Sequence, residues 1–218
     1  MLRVSLLSFS LLFSLFINAQ QVEDILQKYY AAMGGPEEWS NVQTIQVEGT
    51  KVVLGDTFHM VGYRARPNLS WYKLESVDEN KGFYYGHDGK NYWFRGLNSQ
   101  SALSMIDSSE AYVDIEGFEF EEPLLNYREE GMELTFEGVQ QQNGKPYYKL
   151  VLRREGLNQR TYYLDTTHFY PEFVTERQLE GLLKGKEIET EMEDFRRVGT
   201  LVFPFRETTI TKQELMEV

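Results

Sequence analysis

From Gly144 to Phe205 the chain reads as four or five strand-like runs in succession, each broken by a short polar turn and none by a helical period. Strands joined through turns this short pair antiparallel, because a parallel pair needs a crossover of a dozen residues or more. The runs are rich in Tyr and Phe. Adjacent aromatics such as Trp71-Tyr72 and Tyr162-Tyr163 place one ring on each face of a strand. A plain one-sided sheet would leave one ring of each pair in water. These strands therefore require cover on both faces, or a concave face that receives an apolar ligand.

The same pattern extends toward the N-terminus. Val42–Leu54, Thr57–Ala65 and Leu69–Glu75 read as strands, with turns at Gly55-Asp56 and Arg66-Pro67-Asn68. Gly82–Gly86 and Asn91–Arg95 form a hairpin across His87-Asp88-Gly89-Lys90, where Asp-Gly favours a type I′ turn. Met132–Gln140 and Pro146–Arg154 flank a second hairpin signal at Gln142-Asn143-Gly144-Lys145. Arg160–Asp165, Glu172–Glu180, Lys186–Phe195 and Leu201–Thr211 complete about eleven strands. One clear helix precedes them. Val22, Ile25, Leu26, Tyr29 and Met33 share a helical face, and Gly34-Gly35-Pro36 ends it. A further turn of helix over Pro36–Asn41 carries Trp39.

Residues 98–131 break the strand rhythm. Ser101–Ile106 has helical character, Asp107-Ser108-Ser109-Glu110 resembles a capping box, and Phe118–Tyr127 mixes apolar and acidic residues. An insertion of this length is expected to act as a lid or binding loop.

Arg3, the apolar run Val4–Ile17 and Asn18-Ala19-Gln20 read as an export signal cleaved after Ala19. The run is too short and too serine-rich for a bilayer span of about 20 residues. The reading is thus a signal at 1–19, with an uncleaved N-terminal anchor as the alternative, and one domain over 20–218, exported to a bacterial envelope. Losing Arg3 takes the formal charge from −12 to −13. An acidic chain repels phosphate backbones, which argues against nucleic acid, and leaves only transient membrane contact. The chain has no cysteine, so thiol chemistry, zinc–thiolate sites and lipid attachment at a cysteine are excluded.

No HExxH, GxSxG, Walker or dinucleotide pattern occurs, and His59, His87 and His168 stand far apart in sequence. The reading is a non-enzyme without cofactor or metal. Glu187, Glu189, Glu191 and Glu193 share one strand face at roughly 7 Å spacing. Either they hold a hard cation, or they form a solvated face relieved by cross-strand Arg177 and Arg206. The second reading is preferred. For any single aromatic named above, a place in a filled core is the competing assignment.

Taken in order, a set of motifs resembles the LolA/LolB-like outer-membrane lipoprotein-sorting proteins. They are Asp24–Tyr30, Gly34-Gly35 with Trp39, Thr44–Gly49, Arg66-Pro67-Asn68 and Asp88–Asn91. Gly144–Leu150, Tyr162–Asp165 with Pro171, and Asp194-Phe195-Arg196 through Gly199 to Phe203-Pro204-Phe205 follow. The resemblance implies a mainly β (α+β) fold, an open curved antiparallel half-barrel with an N-terminal helix and a helical lid over its concave side. It implies a periplasmic carrier or binding protein for lipid or lipoprotein acyl chains, with an inner-membrane donor or an outer-membrane acceptor as partner. The expected apolar trough and lid comprise Phe58, Met60, Tyr63, Trp71, Tyr72, Tyr84, Trp93, Leu103, Met105, Ile106, Tyr148, Leu150 and Tyr162. Arg64 and Arg66 are the nearest candidates for the family's concave-face arginine and a polar head-group contact. An envelope protein-interaction module with a filled core is the alternative, and a hydrolase a more distant one.

Overall fold

Apolar residues at helical spacing gave the N-terminal helix, and its burial follows that spacing. In the computed structural model residues 20–53, 55–78, 81–97, 103–106, 120–153, 159–177 and 185–212 are described. Residues 20–33 form helix α1. Its buried side chains are Val22, Ile25, Leu26, Tyr29 and Met33, the face the spacing named. The Gly34 amide donates to the Tyr30 carbonyl at 2.9 Å and closes the helix. A Cβ at Gly34 would lie 2.6 Å from Leu201 Cδ2 and 2.9 Å from the Thr200 carbonyl, so only glycine lets the chain pass here. Helix α2, Gly35–Ser40, then sets Trp39 edge-on to Phe203 at 5.4 Å.

Twelve strands occur among the described residues, in two six-stranded antiparallel sheets. The first sheet holds β1 (Thr44–Val53), β2 (Asp56–Ala65), β3 (Leu69–Ser76), β4 (Gly82–Asp88), β5 (Tyr92–Gly96) and β6 (Ser104–Ile106). The second holds β7 (Glu133–Gln142), β8 (Lys145–Arg153), β9 (Gln159–Asp165), β10 (Pro171–Arg177), β11 (Glu187–Val198) and β12 (Leu201–Lys212). In each sheet, neighbouring strands are also consecutive in sequence. The antiparallel expectation is met, with twelve strands where about eleven were expected. A short helix α3, Pro123–Asn126, precedes the second sheet.

The chain divides into two compact units. One lies within Ser40–Glu122 and contains the first sheet; the other contains α1, α3 and the second sheet. Their burial differs. In the second sheet Leu150, Val151 and Leu152 are buried in succession, as are Phe173, Val174 and Thr175. Successive residues point to opposite faces, so the middle of that sheet is covered on both. In β3 the buried residues are Ser70, Tyr72 and Leu74, at period two, so the first sheet buries one face.

Two local expectations are corrected. The helical character of Ser101–Ile106 gives way, over its described part, to β6 paired on β5 through Tyr92↔Ile106 and Phe94↔Ser104. Ladder bonds to a formed strand outweigh a local helical preference worth tenths of a kcal/mol per residue. The turn after β4 is not type I′. Gly89 has φ +91°, Lys90 has no positive φ, and the Asp88 amide donates to the Asn91 carbonyl at 3.1 Å. A glycine at the first central position with only its own φ positive fits type II′. The Asn143-Gly144 turn, with φ of 50° and 79°, has the two positive values of type I′. The export signal, the capping box at 107–110 and most of the 98–131 insertion lie outside the described residues. Among those described, no helix is long and apolar enough to cross a membrane.

Candidate functional site

Strand alternation sorts the first sheet into an apolar face and a mixed one. Register across β2, β3, β4 and β5 aligns the apolar face in rows. Arg64, Ser70, His87 and Tyr92 form the first row. Gly62, Tyr72, Tyr85 and Phe94 form the second, and Met60, Leu74 and Phe83 the third. Phe58 and Ser76 follow. Rows are spaced roughly 7 Å apart along the strands. The face is therefore polar at one end and apolar through the next two rows, about 14 Å. Phe58 then stands between Ser76 and Lys51 of β1, whose ammonium lies 5.9 Å over the Tyr85 ring.

The rings on this face touch. Tyr72 and Tyr85 stack at 5.0 Å, Phe83 meets Phe94 at 5.4 Å, and Phe58 meets Phe83 edge-on at 5.8 Å. Phe58, Tyr72, Leu74 and Tyr92 form the buried centre, with Val53, Met60, Phe83 and Tyr85 partly buried around it. Gly62 makes the arrangement possible. A Cβ there would lie 2.4 Å from two atoms of the Tyr72 ring, which rests on the bare β2 backbone.

The two arginines named from sequence have different surroundings. Arg66 donates from Nε to the Val42 carbonyl at 2.9 Å, pairs with Glu121, and lies 4.8 Å over the Phe120 ring. Arg64 lies on the apolar face and donates from Nε to the Tyr72 hydroxyl at 2.5 Å. Among the described residues no carboxylate pairs with it. Beside it, the buried Ser70 hydroxyl has no hydrogen-bond partner among those residues. The His87 ring nitrogen Nδ1 lies 2.7 Å from the Asn68 carbonyl, and the ring stacks on Tyr92 at 4.5 Å. In the adjoining turn, the backbone amides of Asn91 and Lys90 hold the Asp88 carboxyl below the usual carboxylate range.

The residues expected to line one trough fall into three groups. Phe58, Met60 and Tyr72 share the apolar face with Arg64. Tyr63, Trp71, Tyr84, Trp93 and Met105 lie on the opposite face, where Trp71 sits 5.6 Å from Tyr63 and 5.9 Å from Tyr84. Tyr63 and Met105 are 44% and 55% exposed, as solvent-facing side chains are. Leu103, just before β6, is 48% exposed, and Ile106 stands opposite Tyr92 in the ladder. Tyr148, Leu150 and Tyr162 share a face of the second sheet. Leu150 and Tyr162 are fully buried there, and Tyr148 stacks on Phe169 at 5.7 Å. Sequence reasoning missed Ser70, Leu74, Phe83, Tyr85, Tyr92 and Phe94. A strict period-two count from Tyr72 along β3, carried across the hairpins, would have found them.

The glutamate series on β11 is a cross-strand arrangement. Glu187 stands opposite Arg177, and Arg206 Nη1 reaches Glu193 at 3.5 Å. Glu189 and Glu191 face Thr175, Ile210, Phe173 and Thr208. Among the described residues no group of three His, Cys, Asp or Glu side chains could hold a metal ion.

The second unit carries its own charged cluster. Lys145 Nζ lies 2.9 Å from buried Asp165 and 2.6 Å from Glu172, and the Tyr147 hydroxyl donates to Glu172 at 2.8 Å. Burial and the Glu172 bond push Tyr147 up to about 12. Burial opposes the Asp165 charge. Lys145 and the amides of His168 and Thr167 outweigh it and hold the carboxyl below its usual range. Each group has its partner, and the cluster ties the β8 start to the β9–β10 turn.

No protein-family profile and no curated protein matches this sequence. Solved structures do match. A LolA superfamily protein from Nitrosomonas europaea is 14% identical with a TM-score of 0.54, over 89% of this chain and 86% of that one. A putative outer membrane lipoprotein-sorting protein domain from Vibrio parahaemolyticus is 13% identical with a TM-score of 0.52, over 86% of this chain and 84% of that one. At these identities the likeness is one of fold, and the fold of this chain is LolA-like.

Proposed function

We propose that this protein is a carrier for lipid, or for the acyl chains of lipoproteins, in the bacterial periplasm. The observation that carries the reading is the graded face of the first sheet, polar in the row of Arg64 and apolar through the rows of Tyr72 and Leu74. Each methylene moved from water onto such a surface contributes about 0.8 kcal/mol, so a long acyl chain gains most of its binding energy there. The LolA-like fold and the sequence motifs support the same reading. So does the acidic composition, which disfavours adhesion to anionic bilayers between transfers.

Native mass spectrometry of protein purified from the envelope, together with displacement of a fluorescent fatty acid, tests this. Bound lipid and saturable displacement are expected. Phe83→Asp, which puts a charge on the apolar face, is expected to weaken binding by about tenfold or more, equivalent to roughly 1.4 kcal/mol. Tyr84→Asp, one residue on and facing the other way, leaves binding within about twofold. Empty protein that binds no fatty acid sinks the proposal. Equal loss in both variants refutes the choice of face.

A further inference from the structure

We propose that Arg64 and Ser70 form an anion-binding end to this face, so that the cargo is an acidic amphiphile with a carboxylate or phosphate head. The inference rests on the carrier reading and narrows it, because a neutral acylated terminus brings no charge to pair with the guanidinium.

The first observation is Ser70. Its side chain is buried, with the residue 6% exposed, and its hydroxyl has no hydrogen-bond partner among the described residues. A desolvated hydroxyl without a partner is uncommon in folded proteins and calls for an occupant. The second is Arg64. It stands directly opposite Ser70 in the β2–β3 ladder, on the same face. Facing side chains on adjacent antiparallel strands have Cβ atoms about 5 Å apart, so one small group can touch both.

The guanidinium is held and yet uncommitted. Its Nε is taken by the Tyr72 hydroxyl at 2.5 Å, and the charge lies 5.9 Å from that ring. Its two terminal amino groups have no carboxylate among the described residues. Arg66, Arg160 and Arg196 all have an acid. Among the described residues Arg95 and Arg197 pair with none either, but both are exposed, whereas Arg64 is half-buried. Two parallel N–H donors on a planar fork match the two oxygens of a carboxylate or phosphate. The Ser70 hydroxyl adds a third donor to the same anion.

The surroundings fix the direction of the ligand. The row after Arg64 and Ser70 is aromatic, and the next is Met60, Leu74 and Phe83. A head held at Arg64 therefore sends its tail along the strands over Tyr72 and Leu74. Arg66 is not part of this subsite, being held by Glu121 and the Val42 carbonyl.

Three ligands with the same tail test the proposal: palmitate, hexadecyl phosphate and hexadecanol, each competing with the neutral fluorophore N-phenylnaphthylamine. At least one anion is expected to bind roughly tenfold or more tightly than hexadecanol, as charge-assisted bonds require. The better anion names the source, carboxylate or phosphate. Arg64→Gln and Ser70→Ala, checked for native circular dichroism, bring the anions to the level of hexadecanol, while Arg66→Gln keeps the preference. If hexadecanol competes as well as both anions, or if Arg64→Gln keeps the preference, the anion subsite is overturned and the carrier reading stands. If no ligand displaces the fluorophore, the carrier reading falls and this inference with it.

Discussion

Gly62→Ala is the substitution that most directly probes how the apolar face is built. In an ordinary strand, replacing glycine by alanine stabilises by about 0.4–1 kcal/mol, because it reduces the entropy of the unfolded chain. Gly62 has no positive φ, so alanine meets no backbone strain there. Its cost comes from the Tyr72 ring, two atoms of which would lie 2.4 Å from the new methyl group. The ring is only 5% exposed, stacked on Tyr85 at 5.0 Å and bonded to Arg64, so it has little room to withdraw. Overpacking of this kind costs about 1–3 kcal/mol. The net effect in the wild-type background is a loss of up to about 2.5 kcal/mol. In a Tyr72→Ala background the clash is gone, and Gly62→Ala is expected to stabilise by the entropic 0.4–1 kcal/mol alone, to within about a factor of two. Urea unfolding of the four proteins gives the coupling energy, in which the entropic gain cancels and the overpacking cost of about 1–3 kcal/mol remains. Near-equal effects in the two backgrounds, or stabilisation in the wild type, would show that Tyr72 does not rest on the Gly62 backbone.

Leu150→Ala removes a fully buried side chain between two covered faces and is expected to cost about 2–5 kcal/mol in urea unfolding. Asn143, with φ 50°, is expected to lose about 1 kcal/mol on change to Ala and almost nothing on change to Gly. The Asp165 carboxyl titrates below its unfolded value of 3.8, so its stabilisation is present above about pH 4 and fades as pH falls through the folded value. Thermal melts of the wild type and Asp165→Asn should therefore draw together as pH falls from about 4 through the folded value, and a separation that does not narrow over that descent refutes the linkage. Arg206→Ala should change stability by no more than about 1 kcal/mol, because the Arg206 and Glu193 side chains are 68% and 49% exposed.

Strand order was legible because the turn chemistry is local. Gly55-Asp56, Asn143-Gly144 and the Arg66-Pro67-Asn68 break each end a run of alternating residues, and the observed strands stop within a few residues of those points. Helix α1 was legible for the same reason, since its five buried positions follow a single period. The mismatch at 104–106 arose where the outcome depends on a partner, the β5 ladder, far weaker as a sequence signal than a turn. The candidate site was legible in composition and not in membership. Trp71 and Tyr72 look alike in sequence, yet one faces Tyr63 and the other Tyr85.

The amino-acid sequence by itself determined an antiparallel β fold with an N-terminal helix, because period, turn residues and aromatic content are properties of short segments. Only the tertiary structure decided which ring faces which, why Gly62 must lack a side chain, and that among the described residues Arg64 lacks a carboxylate partner where Arg66 has one. Those facts depend on register between strands, and on Glu121, which is 55 residues from Arg66 in the chain. Register multiplies one residue's choice of face into every row of the sheet. The buried Ser70 hydroxyl beside Arg64 is its clearest product: an unremarkable serine in the sequence becomes, once its strand is paired, an unfilled donor at the polar end of an apolar face.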